Sequence, residues 1–235
     1  MKLLAFETAT EACSVALYVD GDVRERFEVA PRRHAELALP WADALLAEAG
    51  VARAQLDAVA VGRGPGAFTG VRLAIALAQG IALALDRPVV PVSTLEVLAA
   101  GAPADGPTRI LAAIDARMGE VYAGAFRREA GTLVALDAER VRAPDAVFFP
   151  AGQPGDWQGV GTGFAAAEGL LARQLAAALV RVDAAALPRA GVLAGLAAAA
   201  FARGEVSAPE RVEPAYLRDN VALTLAEQQA LRATK

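Results

Sequence analysis

The sequence predicts an α/β chain built as two lobes of one plan, and three observations carry that reading. Residues 2–8 and 13–19 are apolar runs of strand length, and the second passes through Asp20-Gly21 into a third. Asp-Gly between such runs is a strong hairpin signal, because both residues tolerate the positive φ of a type I′ turn. Beyond this meander, apolar runs of helical period alternate with short runs of strand length. After residues 102–107, which hold two prolines, a glycine and an aspartate, the same succession starts again.

In the first lobe, residues 23–29 continue the meander, with Val23, Phe27 and Val29 alternating against Arg24, Arg26 and Glu28. Apolar residues at helical spacing over 35–50 predict a helix, with Pro40 requiring a kink or an early start. Residues 59–61 form a short buried strand that runs into the glycine-rich segment 62–70, and a helix follows over 71–85. Residues 88–92 are a strand, and Ser93-Thr-Leu-Glu96 has the form of a capping box opening another helix.

The second lobe opens on a strand at 110–114, a turn at 115–119 and strands at 121–126 and 133–136. A strand end at 160–163 is followed by helices expected over 164–179 and 188–201. The boundaries are therefore drawn at 1–103 for the first lobe, 104–205 for the second and 206–235 for a C-terminal segment packing back on the first. Beyond Arg218, Leu223, Leu225 and Leu231 fit either a docked helix or a frayed end. Two lobes of this shape are what actin-like and sugar-kinase ATPases use to hold a nucleotide, a likeness of fold that does not establish ATP chemistry.

Composition narrows the function. Of 235 residues 55% are hydrophobic and 21% charged, which excludes a disordered chain. The 23 Lys and Arg against 27 Asp and Glu give a net charge of −4. That lacks the basic footprint of a stand-alone nucleic-acid binder, so RNA would need another chain's basic surface. The single cysteine, Cys13, excludes an internal disulfide and a multi-cysteine metal site and suits a reducing compartment. Four apolar residues before Glu7 are too few for a secretion signal, and the uncharged runs 73–85 and 190–202 fall short of the roughly 20 residues that span a bilayer. A cytoplasmic protein without membrane contact is expected.

The motifs exclude more than they assign. No lysine lies between Lys2 and Lys235, so the glycine-rich segment is no Walker-type phosphate loop. Gly62-x-Gly64-x-x-Ala67 matches the loose dinucleotide fingerprint, but Pro65 sits in the turn and no leading βαβ unit carries it. The plain reading is a tight turn with Thr69 capping the next helix. His34 is the only histidine, which removes a paired-histidine metal site and leaves it as a residue of a helix start or the surface. Ser93 and Ser207, each followed by Glu three residues on, read as helix caps, and Cys13 as an inert core residue.

Between Leu73 and Leu85 only Gln79 is polar, and Ala76, Gly80 and Ala84 recur every four residues. The 35–50 helix has Glu36, Asp43 and Glu48 as its only acidic relief among Leu37, Leu39, Trp41, Leu45 and Leu46. Either these helices pack on each other and the sheet, or they form a helix-on-helix interface with another protein. Glu7, Glu11 and Asp115, each at a strand end or adjoining turn, are the acidic candidates for a nucleotide cleft.

The segments Glu7-Thr-Ala-Thr-Glu-Ala-Cys-Ser-Val-Ala16, His34-Ala-Glu-Leu37, Gly64-Pro-Gly-Ala-Phe-Thr-Gly-Val-Arg72, Ser93-Thr-Leu95, Asp115-Ala-Arg-Met-Gly-Glu-Val-Tyr122 and Pro214-Ala-Tyr-Leu-Arg218 resemble the bacterial TsaB (YeaZ) family over nearly the whole chain. The resemblance implies an actin-like two-lobed fold and a non-catalytic role. In that family the chain pairs with TsaD, which transfers threonylcarbamoyl to adenosine 37 of tRNAs reading codons that begin with A, and the ATPase TsaE joins them. It further implies a partner interface on first-lobe helices, placed here at Leu37, Trp41, Leu45, Phe68, Arg72, Leu73, Ala76, Gln79, Gly80 and Leu83, with a homodimer through like surfaces. A vestigial nucleotide cleft would lie at Glu7, Thr8, Glu11, Asp115, Gly161 and Gly163. No catalytic residue, metal or cofactor is expected in the chain itself; ATP and Mg belong to the assembled complex. Glu7 stands where actin-like ATPases usually carry an aspartate near the phosphates, and the longer carboxylate counts against autonomous Mg-ATP binding. The alternative is an independent ATP-dependent phosphotransferase or ATPase using the inter-lobe cleft, with Thr8, Glu11 and Asp115 near phosphate and metal.

Overall fold

Asp20 and Gly21 take φ of 50° and 109° and close a two-residue hairpin. β1 (Lys2–Glu7), β2 (Ala12–Val19) and β3 (Asp22–Val29) therefore run as an antiparallel meander. In the computed structural model, which describes residues 1–218, β4 (Ala58–Gly62) and β5 (Val89–Val92) add in parallel, giving the order β3-β2-β1-β4-β5. Strand alternation splits the faces of this sheet. Leu4, Phe6, Val15, Leu17, Val59 and Val61 pack under α1 (His34–Glu48) and α2 (Phe68–Leu85). Helix α1 runs through Pro40; Pro40 and Glu36 are both exposed, so water reaches the carbonyl that proline leaves unbonded.

The second sheet repeats the plan. β6 (Arg109–Arg117), β7 (Glu120–Glu129) and β8 (Thr132–Ala135) are antiparallel, and β10 (Trp157–Val160) and β11 (Leu179–Asp183) add in parallel beside β6. A short β9 (Arg140–Arg142) pairs with β7. Trp157, Phe164 and Leu171 are buried on the outer face of this sheet beneath α4 (Ala166–Gln174), with Phe149 stacked on Trp157 at 4.4 Å.

The two remaining helices lie between the sheets, and each belongs to the sheet opposite the lobe expected for it. Leu95, Leu98 and Ala99 of α3 (Thr94–Ala100) pack on Ile110, Ala112 and Ile114 of the second sheet. α5 (Ala190–Ala202) packs on the inner face of the first sheet, where Ala5, Ala16, Ala58 and Ala60 let an alanine-rich helix approach. The N-terminus of α5 is held by first-sheet side chains. Ser14 accepts from the Ala190 N–H at 2.9 Å and donates to Glu25 at 2.8 Å, and Glu25 accepts from the Gly191 N–H at 3.0 Å and from Arg189 at 2.8 Å. A carboxylate at a helix N-terminus is favoured by the unpaired N–H groups and the macrodipole. The chain after α5 returns to the first sheet, with a two-bond bridge between Ser207 and Val89.

Other expectations change as well. Ser93 caps α3, accepting from the Leu95 and Glu96 N–H groups, but Ser207 is taken by the bridge and caps nothing. The residue at the start of α2 is Ala67 rather than Thr69, which lies inside the first turn. The helix expected over 164–179 ends at Gln174, with Ala167, Glu168 and Gly169 at positive φ. Residues 179–183 form β11, a strand not expected from the sequence although Val180 and Val182 alternate as β-branched residues do in one. Leu223, Leu225 and Leu231 lie outside the described residues.

Helix α2 is long and apolar enough to cross a membrane by length and composition, yet Val71, Ala74, Ile75, Ala78 and Ala82 form its buried face on the first sheet. Its first turn has no room for a side chain at Gly70, where a Cβ would lie 2.0 Å from the Thr8 carbonyl oxygen. At Gly80 on the exposed side nothing lies within 4 Å. Gly70→Ala should lower unfolding free energy by about 3 kcal/mol through overpacking, while Gly80→Ala should raise it by about 0.5–1 kcal/mol through helix propensity. Urea denaturation of both variants checks the pair, and equal effects would contradict the packing described.

Candidate functional site

The end of β1 turns into β2 at residues 8–11, the position from which an actin-like fold presents backbone to phosphate. Here the chain fills that turn itself. Thr8 is buried and its hydroxyl donates to the Gly70 carbonyl at 2.7 Å, and the Ala67 N–H donates to the Ala9 carbonyl at 2.7 Å. The His34 Nε2 donates to the Thr10 carbonyl at 3.0 Å, tying the start of α1 to the same turn. The Glu11 carbonyl accepts from the Ala30 N–H. The backbone carbonyls of residues 8–11 are thus met by protein groups or by close packing.

Glu7 is 1% exposed. Its carboxylate accepts from the Ala9 N–H at 2.9 Å and the Thr94 hydroxyl at 3.1 Å, and it lies against Gly62, whose Cβ, if present, would fall 1.9 Å from Oε2. Burial pushes the Glu7 carboxyl up from 4.5 to about 7, against the lowering effect of these hydrogen bonds. A carboxyl so enclosed by β1, β4 and α3 is a structural group, and it does not fit a Mg-ATP site.

The second-lobe candidates stand apart from it. Asp115 accepts from the Arg117 N–H and pairs with the Arg117 guanidinium, both at 2.8 Å, and its own N–H donates to Thr162 at 3.2 Å. Gly161 and Gly163 pack against Ala113 so closely that a side chain at either would overlap it. Among the described residues no hydrogen bond or ion pair joins Glu7 or Glu11 to Asp115, and no three His, Cys, Asp or Glu side chains converge as metal ligands. Cys13 is buried, and desolvation pushes its thiol up to about 11.

On α2, Phe68, Ala76, Gly80, Leu83 and Ala84 face outward; Phe68 is 68% and Leu83 60% exposed. Leu73, Leu37 and Trp41 are half-buried. Two expected interface residues are already committed. Leu45 is 2% exposed beneath α1, and Gln79 donates to the carbonyls of Pro209 and Val212 at 2.9 and 3.2 Å. Arg72 stacks over the Phe68 ring, 3.3 Å from its centroid, and donates to the Tyr216 hydroxyl.

Comparison with known proteins now decides the family. The chain is 44% identical to the tRNA threonylcarbamoyladenosine biosynthesis protein TsaB of Escherichia coli (strain K12), over 94% of its own length and 96% of that protein's. It is 36% identical to the TsaB of Haemophilus influenzae over 94% and 95%.

The chain belongs to the TsaB family.

A family model described as TsaD, tRNA N6-adenosine threonylcarbamoyltransferase, also matches residues 27–225. The crystal structure of YeaZ from Pseudomonas aeruginosa superposes with a TM-score of 0.83 at 46% identity, covering 92% of this chain and 99% of that one. The two repeated sheets are therefore the two-lobed actin-like fold of TsaB.

Sequence reading missed one feature of this TsaB chain, a cavity of about 710 Å³ lined by Arg63, Ser93, Glu96, Glu139, Tyr216 and Leu217. Glu139 accepts from the Ser93 hydroxyl. Burial pushes the carboxyls of both Glu139 and Glu96 up, and the charge of Glu139 adds to the rise at Glu96. The Ser93-Thr-Leu95 motif was visible, but nothing in the sequence places Glu139 against it.

The raised Glu7 carboxyl fixes a pH dependence. Below pH 4.5 it is neutral folded or unfolded; between 4.5 and about 7 it ionises only in the unfolded chain, so stability falls as pH rises, by up to about 3 kcal/mol. Glu7→Gln should remove this component, leaving the variant the more stable of the two at about pH 8 and the difference much smaller at about pH 5. Urea denaturation of both proteins at the two pH values tests this, and a constant difference would mean that Glu7 is ionised throughout.

Proposed function

We propose that this chain is the non-catalytic subunit that binds TsaD and stabilises its active conformation for threonylcarbamoyladenosine formation at adenosine 37 of tRNA. The observation that carries the proposal is the outward row of α2: Ala76, Gly80 and Ala84 are small and exposed on a helix with almost no polar residue. Small residues at four-residue spacing let a second helix approach closely, and exposed apolar surface of this kind marks an interaction site. Leu83 and Phe68 flank the row, with Leu37, Trp41, Leu73 and Arg72 nearby as partly covered contributors. A homodimer through the same row would compete with TsaD by mass action. TsaE, ATP and Mg act in the assembled complex, tRNA is reached only through it, and the setting is cytoplasmic.

The buried Glu7, with the Ala9 N–H and the Thr8 hydroxyl spent inside the chain, favours this reading over an independent ATP-dependent phosphotransferase. Threonylcarbamoyl transfer to tRNA by TsaD and TsaE should require this chain and survive Glu7→Gln, Glu11→Gln and Asp115→Asn. Transfer indifferent to the chain would overturn the proposal. The interface has its own test. Ala76→Arg and Gly80→Arg place a charge where the free chain has space, so folding is retained while TsaD affinity falls by about 3 kcal/mol or more from burying an unpaired charge. Unchanged affinity in a titration would move the interface off α2.

A further inference from the structure

The segment that carries Pro214-Ala-Tyr-Leu-Arg218 crosses from one sheet to the other, and each of its fastenings is visible. Ser207 and Val89 exchange two backbone hydrogen bonds at the edge of β5, 2.8 and 2.9 Å. Gln79 on α2 holds the carbonyls of Pro209 and Val212, and the Val212 side chain is 5% exposed in the core beneath that helix. The Ala215 N–H donates to the Arg63 carbonyl at 2.8 Å, at the end of β4. Tyr216 meets Arg72. All these belong to the first sheet and its helices. Two residues on, the Arg218 guanidinium reaches the other sheet, donating to the Ala116 carbonyl at 3.2 Å and pairing with Glu120.

The turn that Arg218 grips is an uncommon one. Arg117, Met118 and Gly119 take φ of 63°, 57° and 76°, three successive left-handed residues of which two carry side chains. Such backbone persists only where its surroundings over-determine it. Asp115 supplies one restraint from inside the hairpin, and Arg218 supplies the other from outside.

We propose that residues 206–218 act as a clasp that ties the two sheets together and holds the β6–β7 turn in its left-handed conformation, with Gln79 and Arg218 as its two anchors. The inference stands apart from the choice of partner, since it uses only contacts inside the chain. Its consequence is mechanical: the outward row of α2 and the exposed tip at Met118, 86% accessible, gain a second tie beside the one that Glu7 and Thr94 make through α3.

Coupling between the anchors is the test, because linkage requires each to stabilise the other. Gln79→Ala and Arg218→Ala in the full chain are compared with the parent by amide hydrogen exchange. Gln79 touches nothing in the second sheet, so under the clasp Gln79→Ala accelerates exchange at Arg117 and Val121 by about threefold or more, a fraction of one hydrogen bond's effect. Arg218→Ala should do the same at Val212 and Ala215. A further variant, Arg218→Lys, keeps the charge and a donor group without the planar fork and should recover part of the protection in the turn. Amides of β1 report that each variant stays folded. Acceleration confined to the anchor's own end in both variants would overturn the proposal and reduce the segment to a locally packed tail.

Discussion

The contact on which the rest of the structure depends is the seating of the first turn of α2 on the β1–β2 turn. Gly70 lies against the Thr8 carbonyl, and Thr8 returns a hydrogen bond to the Gly70 carbonyl. Only a residue without a side chain allows that distance. Once α2 is held there, its Val71, Ala74, Ile75 and Ala78 face must cover the first sheet, and β4 is drawn alongside β1 so that Gly62 backs onto Glu7. Glu7 passes the constraint on, because its carboxylate accepts from Thr94 at the start of α3, and α3 packs on the second sheet. One close approach thereby orders both lobes.

That contact separates shape from chemistry. The topology is that of a fold able to hold nucleotide between its lobes, yet the carboxyl at the end of β1 is buried and engaged by the chain's own donors. The carbonyls of Thr8, Ala9 and Thr10 are each approached by this chain's own residues, and the Glu7 carboxyl is pushed toward its neutral form at ordinary pH. Of the donors at this turn, the Ala9 N–H is spent on Glu7, the Ala12 N–H on Thr10 and the Thr8 hydroxyl on Gly70, which leaves fewer for a phosphate. The glycines of the 64–70 segment, which on their face suggest a phosphate cradle, are spent on packing.

Much of this was legible in the residues. Asp20-Gly21 marked the hairpin, the apolar periods marked α1, α2 and α5, and the motifs from Glu7 to Arg218 marked the family and its fold. What was not legible depended on distant partners. The helices α2 and α5 read alike, as apolar runs with small residues, but α5 exposes only small residues while α2 also exposes Phe68 and Leu83. The difference comes from Ser14 and Glu25, which receive the N-terminus of a helix more than 160 positions away. Distant partners likewise place α3 on the second sheet, against Ile110, Ala112 and Ile114, and α5 on the first. Within the candidate interface, helical spacing gave the period and not the phase, so Leu45 was grouped with Leu37 although one is buried and the other half open. Residues 206–235 are expected to pack back on the first lobe, but nothing in the sequence says that the carbonyls of 209 and 212 meet Gln79, which therefore reads as the polar member of an interface.

The contrast between the two apolar helices also explains how a chain of net charge −4 can serve an RNA-modifying assembly without a basic surface. A helix hydrophobic on all sides is stable only when every side is covered. Helix α5 buries Leu193, Ala194, Ala197 and Ala198 against the alanine-lined first sheet and leaves only the small Gly195, Ala199 and Ala202 exposed. Helix α2 covers one side with the first sheet, uses Gln79 to receive the 209–212 backbone on another, and leaves Ala76, Gly80 and Leu83 to water. The segment after α5 occupies the neighbouring face through Gln79 and bounds the uncovered row on that side. Exposed apolar side chains without charge have no attraction for phosphate, which agrees with the proposed use of this row to bind a protein helix.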